Sequence, residues 1–98
     1  MPYRVVWYPD THAHLCALTA RQRSIVFDEV EEQLTHEPTT ETRNRKEMRP
    51  NPLALWELRI GDLRVYYDVT EEPQTVTVVA VGIKTGNRVF IGGEEKPL

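Results

Sequence analysis

The chain has 98 residues, 40 % hydrophobic and 28 % charged, with 12 basic and 15 acidic side chains for a formal charge of −3; these are proportions of one globular domain over residues 1–98 and exclude a disordered chain. No apolar run reaches the roughly 18–20 residues that cross a bilayer, and no basic start followed by an apolar stretch marks a secretory signal, so a cytoplasmic protein without a membrane partner is expected. The single cysteine, Cys16, excludes an internal disulfide framework and suits a reducing compartment.

Tyr3 to Tyr8 is rich in β-branched and aromatic residues and stops at Pro9-Asp10, which predicts a first strand. Thr11 to Leu18 is read as a short helix. Thr19 is placed to cap a longer one from Ala20 to about His36. There Val26, Val30 and Leu34 recur at helical spacing while Asp28, Glu29, Glu31 and Glu32 fill other faces, the pattern of an amphipathic surface helix. Pro38 ends it. Thr39 to Pro52 is polar, basic and without apolar period, and reads as a long loop of the functional kind.

Charge is spread unevenly. From Met1 to Thr42 there are seven acidic and three basic side chains, whereas from Arg43 to Arg64 there are six basic and three acidic. A net acidic protein gains little long-range attraction to a polyanion, but a local basic segment can still grip one.

Period two then takes over. Trp56, Leu58 and Ile60 alternate with Glu57 and Arg59; after Gly61-Asp62, Leu63, Val65, Tyr67 and Val69 alternate with Arg64, Tyr66 and Asp68. This predicts a hairpin closed by a two-residue turn. Thr75 to Gly82 is a further strand, Gly86-Asn87 a turn, Arg88 to Ile91 a short last strand, and 92–98 a flexible tail. The order β-α-α-β-β-β predicts an α+β fold, with a twisted, mostly antiparallel sheet and two helices packed on one face.

The hairpin register carries chemistry. With Gly61 and Asp62 as the loop, Ile60 pairs with Leu63, Leu58 with Val65 and Trp56 with Tyr67 on a core face. The other face pairs Glu57 with Tyr66 and sets Arg59 opposite Arg64. Like charges directly opposite repel, and an anion such as a phosphate held by both guanidinium groups would relieve the conflict. The alternative is that the two splay apart or pair with Glu57 and Asp62. Lys84, just past Gly82-Ile83, is a candidate third cation.

The stretch from Trp56 to Tyr67, with Arg59 and Arg64 flanking Gly61-Asp62, resembles the hairpin signature of RelE-like toxins in the RelE/ParE superfamily. The run Val78 to Lys84 is similar to that family's next strand, and Arg21 to Pro38 to its long helix. The resemblance spans nearly the whole chain. It implies the RelE-like fold, the toxin role in a type II toxin–antitoxin module, and a cognate antitoxin that covers the active face. It further implies a ribosome-dependent mRNA endoribonuclease without metal or cofactor, in which Arg59, Arg64 and Lys84 are catalytic. Arg43, Arg45, Lys46, Arg49, Glu57, Arg88 and Phe90 would contact substrate. Glu57 stands where the nucleases carry a lysine, and Phe90 near where they carry a tyrosine; Phe90 can stack on a base but cannot exchange a proton. The alternatives are a ParE-like inhibitor of DNA gyrase and a non-toxic relative that only binds a partner. Nothing in the chain sets its oligomeric state.

Other features have plainer readings. His12 and His14 lack a third ligand at useful spacing. Cys16 is read as a small packed residue, and Trp7 and Trp56 as core.

Overall fold

The alternating segments form the middle of a seven-stranded sheet. The computed structural model describes residues 2–97. In chain order the elements are β1 (Arg4–Trp7), α1 (Thr11–Cys16), α2 (Ala20–Leu34), β2 (Arg45–Glu47), β3 (Trp56–Ile60), β4 (Leu63–Glu71), β5 (Gln74–Thr85), β6 (Arg88–Ile91) and β7 (Glu94–Lys96). The sheet runs β2-β3-β4-β5-β6-β7, and β1 pairs with β5. Every neighbour is antiparallel except β1 and β5, which are parallel. This is the expected α+β architecture with two additions.

The first addition lies in the segment expected to be a loop. Arg45–Glu47 pairs with β3, although three charged side chains carry no strand signal, because an edge strand needs only its backbone groups. The second replaces part of the expected tail. Gly92 and Gly93 turn at φ 63° and 83°, a region open to glycine, and Glu94–Lys96 folds back along β6. Met1 and Leu98 lie outside the described residues.

The hairpin register is the one the sequence predicts, from Trp56 opposite Tyr67 to Ile60 opposite Leu63. Gly61 has φ 59° at the first loop position, where a two-residue hairpin turn favours glycine. Its apolar face meets α2. Val26, Val30 and Leu34 are buried with Leu58, Val65, Tyr67, Val76, Val78 and Val81. At about 25 cal/mol per Å² of apolar area, that contact is the main stabilising term of the fold. Trp56 stacks on Tyr67 and Trp7 meets the ring edge of Phe27. The Tyr67 hydroxyl donates to the Pro38 carbonyl at 2.6 Å, fixing where the chain leaves the helix.

Thr19 caps α2 as predicted, in a reciprocal pair with Gln22. Arg23 reaches back from α2 to the carbonyls of Leu15, which also accepts from the Leu18 N–H, and of Leu18. The twelve-residue β5 has β1 beside its first half and β6 beside its second, so residues between Val78 and Gly82 have no strand on that edge. There the Val81 N–H donates to His14 Nδ1 at 3.4 Å. Burial pushes the His14 pKa down, keeping the ring neutral and able to accept.

Candidate functional site

The opposite face of the sheet is built by register alone. Paired residues share a face and successive ones alternate, so two rows of side chains cross it. Lys46, Glu57, Tyr66 and Ala80 form one, from β2 to β5. Arg59, Arg64, Gly82 and Ile91 form the next, from β3 to β6. Lys84 lies two residues beyond Gly82, on the same side of β5. A small second core of Ala54, Tyr66, Ala80 and Ile91, flanked by Met48 and Leu53, covers part of this face.

Segment 48–54 forms a wall beside the rows. Asn51 holds its shape: the side-chain carbonyl accepts from the N–H groups of Leu53 and Ala54, and the amide donates to the carbonyls of Arg49 and Ala54. Wall and sheet enclose a groove of about 460 Å³. Lys46, Arg49, Arg59, Arg64 and Lys84 line it, against the carboxylates of Glu47 and Glu57. A hollow on the helix side, about 620 Å³ between β1 and α2, is lined mostly by apolar side chains and by no arginine or lysine.

Within the groove the opposed arginines are held apart. Arg59 Nε donates to Glu57 Oε1 at 2.7 Å, and its side chain is 49 % exposed. Arg64 is buried, and its Nη1 donates to the carbonyls of Gly61 and Leu63 at 2.7 and 2.9 Å. Among the described residues no carboxylate lies within ion-pairing distance of Arg64. One arginine is neutralised and the other is braced by neutral carbonyls, which leaves its full charge for a ligand. Splaying and pairing with Glu57 thus separate the two; Asp62 takes no part.

Tyr66 lies between Glu57 and Ala80 and is fully buried. Its hydroxyl is the one buried side-chain polar atom among the described residues with no hydrogen-bond partner. Burial, then the nearby Glu57 charge, pushes its pKa far up, with Arg64 opposing. At neutral pH it is an un-ionised donor facing a cationic groove.

Six of the ten residues expected at the site therefore come together: Arg59, Arg64, Lys84, Lys46, Arg49 and Glu57. Four do not. Arg45 is on the core face opposite Leu58, nearly buried, with Nε on the Thr40 carbonyl at 2.8 Å and Nη1 on the Gln33 carbonyl at 3.1 Å. It ties the end of α2 to the sheet and faces away from the groove. Arg88 and Phe90 pair with Thr85 and Ile83, the members of β5 that alternate away from Gly82 and Lys84, and so sit on the far face. Arg43 is exposed ahead of β2, outside the groove. Cys16, expected to be packed, is exposed at the end of α1, its Sγ 3.9 Å from His12 Nε2. Among the described residues no group of three or more His, Cys, Asp or Glu is placed to hold a metal ion.

The model of the ParE toxin of type II toxin–antitoxin systems matches residues 9–86, from the start of α1's turn to the end of β5. The chain belongs to that family. The toxin also superposes on a chain of the crystallised RelBE2 toxin–antitoxin complex from Mycobacterium tuberculosis, with a TM-score of 0.74 and 25 % identity over 86 % of this chain and all of the other. No curated protein matches it. This ParE-family chain is a RelE/ParE superfamily toxin with the fold its sequence implies.

In this toxin the cationic face was legible from hairpin register, and Tyr66 was within reach of the same reasoning. Its place opposite Glu57 put it on the arginine face; what strand alternation does not reveal is the cover of segment 48–54, which buries it. No helix among the described residues is long and apolar enough to cross a membrane.

Proposed function

We propose that the toxin is a ribosome-dependent mRNA endoribonuclease that arrests translation in the cytoplasm and is neutralised by a cognate antitoxin. The observation that supports this is the groove itself, where five cations from one sheet face and its flanking segment stand with a buried tyrosine and the carboxylates of Glu47 and Glu57. Single-stranded RNA carries a phosphate per nucleotide, and such a cationic channel suits it. The reaction is attack of a ribose 2′-hydroxyl on its adjacent phosphorus. Glu57 takes the hydroxyl proton, the 2′-oxygen bonds to phosphorus, and the 5′-oxygen departs with a proton from Lys84, leaving a cyclic phosphate. Arg64 and Arg59 stabilise the negative charge that builds on phosphorus; removing one such fixed donor typically costs on the order of a hundredfold in rate. Lys46 and Arg49 hold flanking phosphates.

The match to a ParE model favours a second reading, inhibition of DNA gyrase by binding alone. Inducible expression with pulse labelling of protein and DNA synthesis separates the two, comparing wild type with Arg64→Ala. A rapid stop in translation, relieved by the substitution, supports the nuclease. A stop in DNA synthesis with translation intact supports gyrase inhibition, and unimpaired growth with folded wild-type protein would sink both.

A further inference from the structure

The buried Tyr66 hydroxyl makes no hydrogen bond of full geometry and has only the Glu57 carboxylate near it, and leaving a buried hydroxyl without a well-made partner is costly. Phenylalanine would fill the same volume in the second core without that cost. Tyr66 lines the groove, so a ligand seated there can supply the partner of its covered hydroxyl. The neighbouring charges narrow what that partner is. Glu57 stands directly opposite on β3, with Oε1 engaged by Arg59 and Oε2 without a partner among the described residues. A phosphate oxygen placed at Tyr66 would be repelled by this carboxylate. A neutral ligand hydroxyl would be repelled by neither group: it donates to the carboxylate and accepts from the tyrosine.

Arg59 and Arg64 lie on the next row, with Arg64 two residues from Tyr66 on β4; Lys84 lies beyond them on β5, and Lys46 stands at the β2 end of the Tyr66 row. A ligand that fills both rows carries a hydroxyl next to a phosphate, as ribonucleic acid does and deoxyribonucleic acid does not. We propose that Tyr66 and Glu57 form a ribose 2′-hydroxyl subsite, with Tyr66 as the specificity residue by which the groove distinguishes RNA from DNA. This rests on the RNA-binding reading above and deepens it. Burial keeps Tyr66 un-ionised across the physiological range, so it serves as a permanent donor and is unsuited to releasing a proton.

The test uses binding, measured by fluorescence anisotropy at low salt, with single-stranded RNA, DNA of the same sequence, and 2′-O-methyl RNA. Wild-type protein binds RNA about tenfold more tightly than DNA, the scale of one well-made hydrogen-bond pair. It binds 2′-O-methyl RNA as weakly as DNA, because the methyl group removes the donor to Glu57. Tyr66→Phe lowers RNA affinity to the DNA level and leaves DNA affinity unchanged, whereas Arg64→Ala weakens both alike. Equal binding of RNA and DNA by wild type, or an RNA preference that survives in folded Tyr66→Phe, overturns the subsite and leaves the RNA-binding reading standing. The 2′-O-methyl comparison decides the point without any variant. Failure to bind any of the three overturns the RNA-binding reading, and the subsite with it.

Discussion

Arg59 and Arg64 are cross-strand neighbours that share a face but no partner: one leans on the Glu57 carboxylate and the other on the carbonyls of its own turn. The arrangement stores a repulsion that Glu57 masks. Glu57→Gln is expected to lower stability by about 0.5–1 kcal/mol at low salt, a modest figure because Arg59 is half-exposed to solvent. Added phosphate should narrow that gap by settling between the two guanidinium groups. Urea unfolding with and without phosphate checks this; a gap that phosphate leaves unchanged would mean the arginines do not share an anion.

Arg45 and Lys46 are adjacent in sequence with opposite duties. Arg45→Ala removes a buried cation bonded to the carbonyls of Thr40 and Gln33, and should cost about 2–3 kcal/mol in urea unfolding. Lys46→Ala should change stability by less than about 0.5 kcal/mol while weakening binding to RNA and flattening its salt dependence. Equal stability losses in the two variants would refute this division.

Alkali should unfold the protein through its paired tyrosines. Burial raises the pKa of Tyr66, with Glu57 adding to it, and burial raises that of Tyr67, with Arg45 opposing. Below about pH 10 both folded and unfolded chains keep these protons, and the stabilising contribution is fully present. Above it the unfolded chain releases them first, so stability falls as pH rises, by about 1.4 kcal/mol per pH unit for each tyrosine. Tyr66→Phe should fall about half as steeply over that range, as read from denaturant midpoints at successive pH values.

Gly82 pairs with Ile91, where β6 runs beside β5. A Cβ there would stand 2.6 Å from the Phe90 carbonyl oxygen and 2.9 Å from Ile91 Cγ1. Backbone cannot yield as a side chain would, so Gly82→Ala should cost about 2–3 kcal/mol and loosen the C-terminal hairpin. Amide hydrogen exchange would locate the damage: faster exchange over residues 88–96 with the β3–β4 amides unchanged is the expected pattern.

These positions also mark how far sequence reading reaches. The central hairpin was legible to the residue because Gly61-Asp62 fixes the loop and strict alternation fixes the faces; that alone set Arg59 against Arg64 and Glu57 against Tyr66. The cap at Thr19 was legible because capping is local chemistry. Strands β2 and β7 were not, since Arg45–Glu47 and Glu94–Lys96 have charged side chains and pair through backbone alone. The faces of Arg88 and Phe90 follow from the Gly86-Asn87 turn, which sets Arg88 opposite Thr85 and Phe90 opposite Ile83 by the same rule. Arg45 hid for a different reason: an arginine that braces a helix end reads in sequence like one that waits for a ligand.

The pairing of β1 with β5 has a consequence for how the toxin comes into being. Arg4 lies beside Thr75, and Trp7 beside Val78, so β1 finds its place only once the far more C-terminal β5 has formed. Until β5 is available, α2 has only part of the sheet it buries against, and the groove lacks Lys84. Contacts this distant in sequence form late and slow folding. The cationic groove is therefore a late product of folding.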